Sequence, residues 1–255
     1  VAGAIPRVAP RPLLRPQQPL QQAARESVRQ IMPSGLGLDS AGIRRRMVDR
    51  LVAAGLRDPR VCDALREVPR HLFVDTALVN QAYEDTSLPI GLGQTISKPS
   101  VVARMIELLM GGANARVQGA LGQTLEIGTG CGYQAAVLGR LARQVISVER
   151  LRPLHEKARE NLQPVRQYNI RLVYGDGMRG HPPNAPYDSI IAAAGGEALP
   201  DAWLAQLAIG GRLVAPVHDA SGGRQVLVVV DRTEGGFARS VHEAVHFVPL
   251  KSGMD

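Results

Sequence analysis

Apolar residues recur at two different spacings along this 255-residue chain, and the spacing changes near residue 123. Before that point, apolar positions three and four residues apart predict amphipathic helices, one of which ends at Gly55 while the next starts at Asp58-Pro59. A third helix is predicted after Lys98-Pro99, because a proline suits the first turn of a helix. Residues 68–93 contain prolines and glycines, so we expect irregular structure and a loop there.

From Gln123 onward, short apolar runs alternate with helical stretches. The runs predict strands at residues 124–127, 144–149, 170–174, 187–193 and 212–217. Two β-rich segments follow, residues 225–231 and 237–248, with a tight turn at Glu234-Gly235-Gly236 between them. This order predicts an α/β fold, a doubly wound, mainly parallel, Rossmann-like sheet with an antiparallel C-terminal edge and an N-terminal helical addition.

The domain organisation follows from composition. Residues 1–36 are rich in Pro, Arg and Gln, with five prolines in the first twenty residues, and predict a disordered extension. Residues 37–255 predict a single domain. We divide this domain into an N-terminal helical part with a loop (37–122), a sheet core (123–217) and C-terminal strands (218–255).

The net charge of +7 is concentrated at the start of the chain, where residues 1–30 hold five arginines and one acidic residue. These arginines lie in the segment without apolar periodicity, which is typical of a solvated tail. The triplet Arg44-Arg45-Arg46 predicts the charged face of a helix. We therefore expect no nucleic-acid partner for this protein.

The length of the apolar runs and the number of cysteines indicate where the protein works. The chain lacks an apolar run of about 18 residues, so we expect no membrane partner. The two cysteines, Cys62 and Cys131, are too few for a disulfide framework and fit a reducing compartment, so we expect a cytoplasmic location.

A glycine-rich loop follows the first predicted strand of the core. Gly128, Gly130 and Gly132 come directly after the strand and before a helix, and glycine permits positive φ and close approach of a ligand. A dinucleotide fingerprint would place its third glycine at position 133, which is Tyr133. Two acidic residues end the next two strands, Glu149 and Asp176, and the ligands of such sheets bind at these strand ends.

The segment from Glu126 to Gly132, with Thr129 inside it, resembles the first motif of class I methyltransferases, which bind S-adenosyl-L-methionine (AdoMet). The resemblance implies that Glu126 holds the methionine ammonium group, directly or through water, because a carboxylate suits a cation. Glu149 is then placed to accept from the ribose hydroxyls and Asp176 from the adenine amino group, while Gly177 leaves room for the ring.

A second resemblance concerns residues 88–103, which contain Gly-Gln-Thr-Ile-Ser-Lys-Pro. This stretch is similar to the signature loop of the protein-L-isoaspartate O-methyltransferase family. Further similarity lies at residues 68–75, 125–133, 206–214 and 245–250, so the resemblance covers about residues 40–251. Lys98, Ser100 and Cys131 differ from the residues usual in the family.

The family resemblance implies methyl transfer from AdoMet to the free α-carboxylate of L-isoaspartyl residues in damaged proteins, which initiates repair through a succinimide. Ser97 is then the active-site residue that hydrogen-bonds and orients the substrate carboxylate, with Thr95 and Ile96 on the same loop. Pro249 and Leu250 are expected to wall the peptide groove. From the sequence alone, Ser97 is also a good cap for the helix that follows it.

Several alternatives stay open at this point. A methyltransferase of the same fold could act on a small molecule or RNA, and an adaptor could keep the fold without turnover. We expect a monomer and no metal site, since His242 and His246 on one strand would lie about 13 Å apart, too far for one ion.

Overall fold

The computed structural model describes residues 41–219 and 223–255. The expected extension over residues 1–36 lies outside these residues. No helix in the described ranges is long and apolar enough to cross a membrane.

The described chain forms helices packed around a seven-stranded sheet, with a small two-stranded sheet beside it. The strands are β1 (Leu88–Gly91), β2 (Gln94–Ile96), β3 (Gln123–Ile127), β4 (Gln144–Glu149), β5 (Ile170–Tyr174), β6 (Tyr187–Ala192), β7 (Leu207–His218), β8 (Gln225–Thr233) and β9 (Gly236–Val245). The α-helices are α1 (Ala41–Ala53), α2 (Pro59–Glu67), α3 (Pro99–Met110), α4 (Ala113–Gln118), α5 (Tyr133–Gly139), α6 (Arg152–Leu162) and α7 (Asp201–Gln206). Short 3-10 helices occur at Arg70–Phe73, Thr76–Gln81, Gln163–Val165, Gly177–Arg179 and Pro182–Asn184.

The central sheet has the strand order β5-β4-β3-β6-β7-β8-β9. The first four pairings in this order are parallel, and the pairings of β7 with β8 and of β8 with β9 are antiparallel. The chain runs outward from β3 to β5 and then returns to β6 on the other side of β3. Because the order reverses there, a crevice forms beyond the carboxyl ends of these strands, which is where such sheets bind ligands. The predicted fold class is thereby confirmed.

Two hydrophobic clusters cover the two faces of the sheet. Neighbouring strand residues such as Val145 and Ile146 belong to different clusters, since successive side chains of a strand point to opposite faces. One cluster contains buried residues of α1, α2, α3 and α5, and the other contains Trp203 of α7. Trp203 and Phe73 are both buried, as core residues are expected to be.

The N-terminal part differs from the sequence expectation at two places. The segment expected to be a loop contains the β1–β2 hairpin, in which Leu88 pairs with Ile96 and Pro89 with Thr95. Its turn has positive φ at Gly91, Leu92 and Gly93, so the glycines that suggested a loop form a tight reversal. Helix α4 was not predicted, because its sequence ANARVQ has little apolar periodicity.

Candidate active site

The ends of three parallel strands bring the predicted donor-site residues together. In the register of the sheet, Ile127 of β3 lies beside Val148 of β4, and Glu149 of β4 lies beside Tyr174 of β5. The glycine loop after β3 and the acidic residues that end β4 and follow β5 therefore meet at one edge. A cavity of about 440 Å³ opens there and is lined by Gly128, Glu149 and Gly177, among others.

Glu149 connects the two loops at this edge. Its Oε2 accepts from the backbone N–H of Gly130 at 2.9 Å, and its Oε1 accepts from the N–H of Leu151 at 2.9 Å. The side chain is buried within the protein but lines the cavity. Each carboxylate oxygen can accept a second hydrogen bond, so Glu149 can hold the loops and still receive a ligand hydroxyl.

Glu126 lies behind the glycine loop and is fully buried. Its Oε2 accepts from the hydroxyl of Ser147, which also forms a 2.6 Å hydrogen bond with the hydroxyl of Thr129 in the loop. Its Oε1 has no partner at close hydrogen-bond distance, and neither has the nearby amide nitrogen of buried Gln134. Burial raises the pKa of Glu126 to about 8, although the side chains of Ser147 and Gln134 act to lower it. A buried acid with a free acceptor oxygen is suited to receive a cationic group, so this site fits the ammonium group of AdoMet.

Asp176 is tied to the last residues of the chain. Its Oδ1 accepts from Met178 N–H and its Oδ2 from Gly253 N–H, both at 2.9 Å. Arg150 forms an ion pair with Asp255 at 2.6 Å, and Asp255 lines the cavity. The segment from Lys251 to Asp255 thus forms part of the donor-site wall, which sequence reasoning missed because these contacts join residues about eighty to a hundred apart.

Gly177 occupies the buried base of this cavity. A Cβ atom at this position would lie 2.6 Å from Cγ2 of Ile127, which is closer than real side-chain contacts. Glycine is therefore required by the packing of β3 against the segment after β5, independently of any ligand.

The acceptor-site residues lie on the other side of the glycine loop. Thr95, Ser97 and Lys98 line a second cavity of about 800 Å³ together with Arg224 and His246. Ile96 is buried between the cavities. Among the described residues that line this second cavity there is no Asp or Glu. The groove is therefore suited to an anionic ligand.

Ser97 does not cap the helix that follows it. The residue at the cap position is Lys98, without a side-chain cap hydrogen bond, because Pro99 sets the first helical turn one residue later. The N–H of Ser100 is instead satisfied by Oδ1 of Asp85 at 2.9 Å. The capping interpretation of Ser97 was wrong, and its hydroxyl is not used to hold the helix.

A small cavity of about 60 Å³ shares lining residues with both larger cavities. It is lined from one side by Thr95, Ile96 and Ser97, and from the other by the glycine loop from Gly128 to Gly130 and by Glu149. The segment from Thr95 to Ser97 and the glycine loop therefore meet at one narrow space.

Two other predicted residues have different positions from those expected. Pro249 and Leu250 line the 440 Å³ cavity, His246 and Phe247 line the 800 Å³ cavity, and Val248 lines both. Leu250 also donates its N–H to the carbonyl of Gly195 at 2.7 Å, which holds the segment against the loop after β6.

Cys131 lies inside the donor loop but is buried. Burial raises the pKa of its thiol to about 11, so the thiol stays protonated at neutral pH. Its carbonyl accepts from the side chain of Asn161 at 2.9 Å, which ties the loop to α6. The residue therefore packs and does not act as a nucleophile.

Comparison with known proteins agrees with this arrangement. The family model described as protein-L-isoaspartate(D-aspartate) O-methyltransferase matches residues 43–255. The protein named protein-L-isoaspartate O-methyltransferase from Methylibium petroleiphilum is 68% identical to this chain, and the match covers 96% of this chain and 90% of that protein. The protein of the same name from Leptothrix cholodnii is 63% identical, over 94% of this chain and 84% of that protein. A solved structure of the same name has 28% identity and a TM-score of 0.73, over 83% of this chain and 67% of that chain. The chain belongs to the protein-L-isoaspartate(D-aspartate) O-methyltransferase family.

Proposed function

We propose that the two cavities share one reaction, with the methyl donor in the 440 Å³ cavity and the acceptor peptide in the 800 Å³ cavity. The enzyme transfers a methyl group from S-adenosyl-L-methionine to the free α-carboxylate of L-isoaspartyl residues in damaged proteins, which initiates repair through a succinimide. The observation that carries our assignment is the small cavity where the Ser97 loop faces the glycine loop.

On the donor side, we assign Oε1 of Glu126 to the ammonium group of AdoMet. The glycine loop from Gly128 to Gly132, which includes Thr129, is assigned to the same part of the donor. Glu149 is assigned to the ribose hydroxyls, and Asp176 with Gly177 to the adenine end. When bound, AdoMet supplies an electrophilic methyl group on a sulfonium ion. Glu126 is fully enclosed, so any contact with the ammonium group is made at its one free oxygen or through a water molecule.

On the acceptor side, the residues have to position an anion that already exists. A carboxylate with a pKa near 4 is ionised at pH 7, so no proton has to be removed before it attacks. Ser97 donates a hydrogen bond to one carboxylate oxygen and leaves the other directed at the donor cavity. Thr95 and Ile96 shape the loop, and Lys98 with Arg224 attract the anionic peptide. Positioning and partial desolvation then supply the rate enhancement.

The test is labelled methyl transfer from AdoMet to an isoaspartyl peptide, with the normal aspartyl peptide as the acceptor control. We expect base-labile label on the isoaspartyl peptide only. Ser97→Ala should lower kcat by about tenfold or more, because one hydrogen bond to a charged group is lost, while the affinity for S-adenosyl-L-homocysteine stays unchanged. Ser100→Ala is the matched control, since only its backbone N–H is engaged.

Two results would contradict the proposed acceptor or the proposed role of Ser97. Binding of AdoMet without transfer to the isoaspartyl peptide would favour a different acceptor or a non-catalytic adaptor. Transfer with unchanged kcat in Ser97→Ala would remove Ser97 from the reaction and leave the family assignment standing.

The proposal extends to the oligomeric state, the location and the partners of the enzyme. The enzyme acts on proteins, and we infer that it works as a monomer, because residues of one chain line both cavities. We infer a cytoplasmic location, which two free, buried cysteines support, and no nucleic-acid partner. Light scattering at assay concentration tests the monomer: a dimer mass would contradict it.

We also propose that residues 37–255 form the catalytic domain and that residues 1–36 are dispensable. The family match from residue 43 to 255 supports this boundary. A shortened protein that begins at Gly37 should keep its thermal midpoint and its kcat. A large loss of either quantity would contradict the boundary.

A further inference from the structure

Arg70 is a buried cation between the two halves of the active site. It begins the short 3-10 helix Arg70–Phe73 and has a relative exposure of 0%. Moving a charged group out of water costs several kcal/mol unless nearby groups compensate. Such a residue is therefore retained for a specific interaction, and its contacts indicate which one.

The guanidinium bridges two separate segments through their carbonyl groups. Its Nε donates to Ala82 O and its Nη2 donates to Ser97 O, each at 2.8 Å. Its central carbon lies 4.6 Å from the ring centroid of Tyr133, the first residue of α5 after the glycine loop. Arg70 therefore touches both the acceptor loop, at Ser97, and the helix that carries the donor loop.

The charge of Arg70 is not neutralised by an ion pair. Within residues 41–219 and 223–255, no carboxylate lies within 4.0 Å of its guanidinium nitrogens, and Asp85 acts on it only at longer range. Burial lowers the pKa of Arg70, yet an arginine stays charged at neutral pH. Nη1 and the hydroxyl of Tyr133 have no partner at close hydrogen-bond distance, and the two side chains interact electrostatically with each other. A fully buried arginine without an ion pair is poorly explained by fold stability alone.

We propose that Arg70 is a positioning residue for methyl transfer, which fixes the backbone of Ser97 relative to the donor loop. This inference rests on the role of Ser97 proposed above. The planar guanidinium donates in two directions at once, so one side chain sets the distance between Ala82, Ser97 and the Tyr133 ring. Misplacement of a reacting group by about 1 Å can cost about 100-fold in rate, so a small shift of the loop has a large effect.

The test uses two substitutions in the full-length enzyme. Arg70→Lys keeps the positive charge but cannot reach both carbonyls with a planar fork, and Arg70→Met keeps the length of the side chain without the charge. We expect kcat to fall about tenfold in Arg70→Lys and about 100-fold in Arg70→Met. The dissociation constant of S-adenosyl-L-homocysteine should change by less than about threefold in each, because the cofactor contacts remain. Equal losses in kcat and in this affinity would overturn the proposal in favour of general loosening.

Arg50→Met is the matched control. Nη2 of Arg50 donates to the carbonyl of Tyr83 at 2.7 Å, next to the Ala82 carbonyl that Arg70 holds, but Arg50 is exposed and does not contact Ser97. Its substitution should leave kcat unchanged. If Arg70→Met does not fold, Arg70→Lys carries the test, and a folded Arg70→Lys with unchanged kcat overturns the proposal.

A double-mutant cycle separates this inference from the proposed function. If Arg70 acts through Ser97, Arg70→Lys should cost clearly less in the Ser97→Ala background than in the wild-type enzyme. Fully additive losses would show that Arg70 does not act through Ser97. An unchanged kcat in Ser97→Ala alone would instead contradict the proposed role of Ser97.

Discussion

The donor side and the acceptor side of the active site are built in different ways. On the donor side, Glu126 and Glu149 lie at the ends of central parallel strands, are buried, and are held by hydrogen bonds from neighbouring groups. On the acceptor side, Ser97, Lys98 and Arg224 lie on connecting segments, and the last two are exposed. One side is therefore part of the core, and the other is part of the surface.

The difference matches what each side has to recognise. The donor is one small molecule of fixed shape, which suits a cavity of about 440 Å³ formed by preset groups. The acceptor is an isoaspartyl residue in many different protein chains, which suits an open groove of about 800 Å³ with few fixed contacts. Substitutions on the two sides should therefore separate donor affinity from peptide kinetics.

The largest expected effect is on the donor side. Glu149→Ala removes the acceptor of two backbone N–H groups and frees the loops that it joins. We expect about 100-fold weaker binding of S-adenosyl-L-homocysteine, as loss of charge-assisted hydrogen bonds implies, measured by titration calorimetry. Glu160→Ala on the exposed side of α6 is the control. Unchanged affinity for S-adenosyl-L-homocysteine in Glu149→Ala would show that Glu149 does not hold the donor site together.

The second effect concerns pH. Because burial raises the pKa of Glu126 to about 8, the folded chain holds a proton that the unfolded chain has released between about pH 4.3 and pH 8. This group's contribution to the free energy of unfolding therefore falls as pH rises through that window. The ammonium group of the ligand favours the ionised form of Glu126, so affinity for S-adenosyl-L-homocysteine should rise about tenfold from pH 6 to pH 7.

Glu126→Gln is the variant that tests this pH effect. It removes the titrating group, so both pH dependences should flatten, in thermal melts and in calorimetry respectively. A pH slope of ligand affinity that is identical in the variant and the wild type would assign the titration to another group.

A smaller effect is expected in the acceptor groove. Lys98→Glu and Arg224→Glu reverse exposed charges in a lining that lacks acidic residues among its described members. The KM for the isoaspartyl peptide should rise about fivefold at low salt and less at high salt, with unchanged donor affinity. Lys157→Glu, an exposed lysine of α6, is the control. Loss of donor affinity instead would show that the two sides are not independent.

The smallest effect is expected at the segment that closes the donor site. Asp255→Ala removes the partner of Arg150, and the Asp255 side chain is 67% exposed. An exposed pair contributes little, so S-adenosyl-L-homocysteine should dissociate only about twofold faster, measured by stopped flow. Glu156→Ala, which removes the exposed pair with Arg152, is the comparison. A loss as large as that of Glu149→Ala would place the segment among the main donor contacts.

The sequence predicted the strands and the glycine loop of the sheet core correctly because their pattern is local. Strands such as β4 and β5 are short, mainly apolar segments, and each has the bounds that the sequence predicted. The glycine loop and the acidic residues directly follow or end these strands in the sequence, so locating the strands also locates them. The bonds made by Glu126 to Ser147 and by Asp176 to Gly253 could not be predicted, because they join distant positions.

The acceptor half was predicted more from the similarity to the family's signature loop than from the pattern of residues. The glycines near Leu92 hid the β1–β2 hairpin, since a turn with positive φ and a flexible loop use the same residues. The cap of α3 was assigned to Ser97 because the real acceptor, Asp85, lies fifteen residues away. The sequence pattern did not indicate the role of Arg70, and only the packing of three segments shows that it is enclosed.

The buried thiol of Cys131 also affects the durability of the enzyme. Oxidants and alkylating reagents attack the thiolate, and with a pKa of about 11 only about one thiol in ten thousand is ionised at pH 7. The donor loop therefore carries a cysteine that is chemically inert in the folded state. Oxidation of Cys131 by peroxide should accordingly follow unfolding, so that ligands which stabilise the fold also protect this thiol.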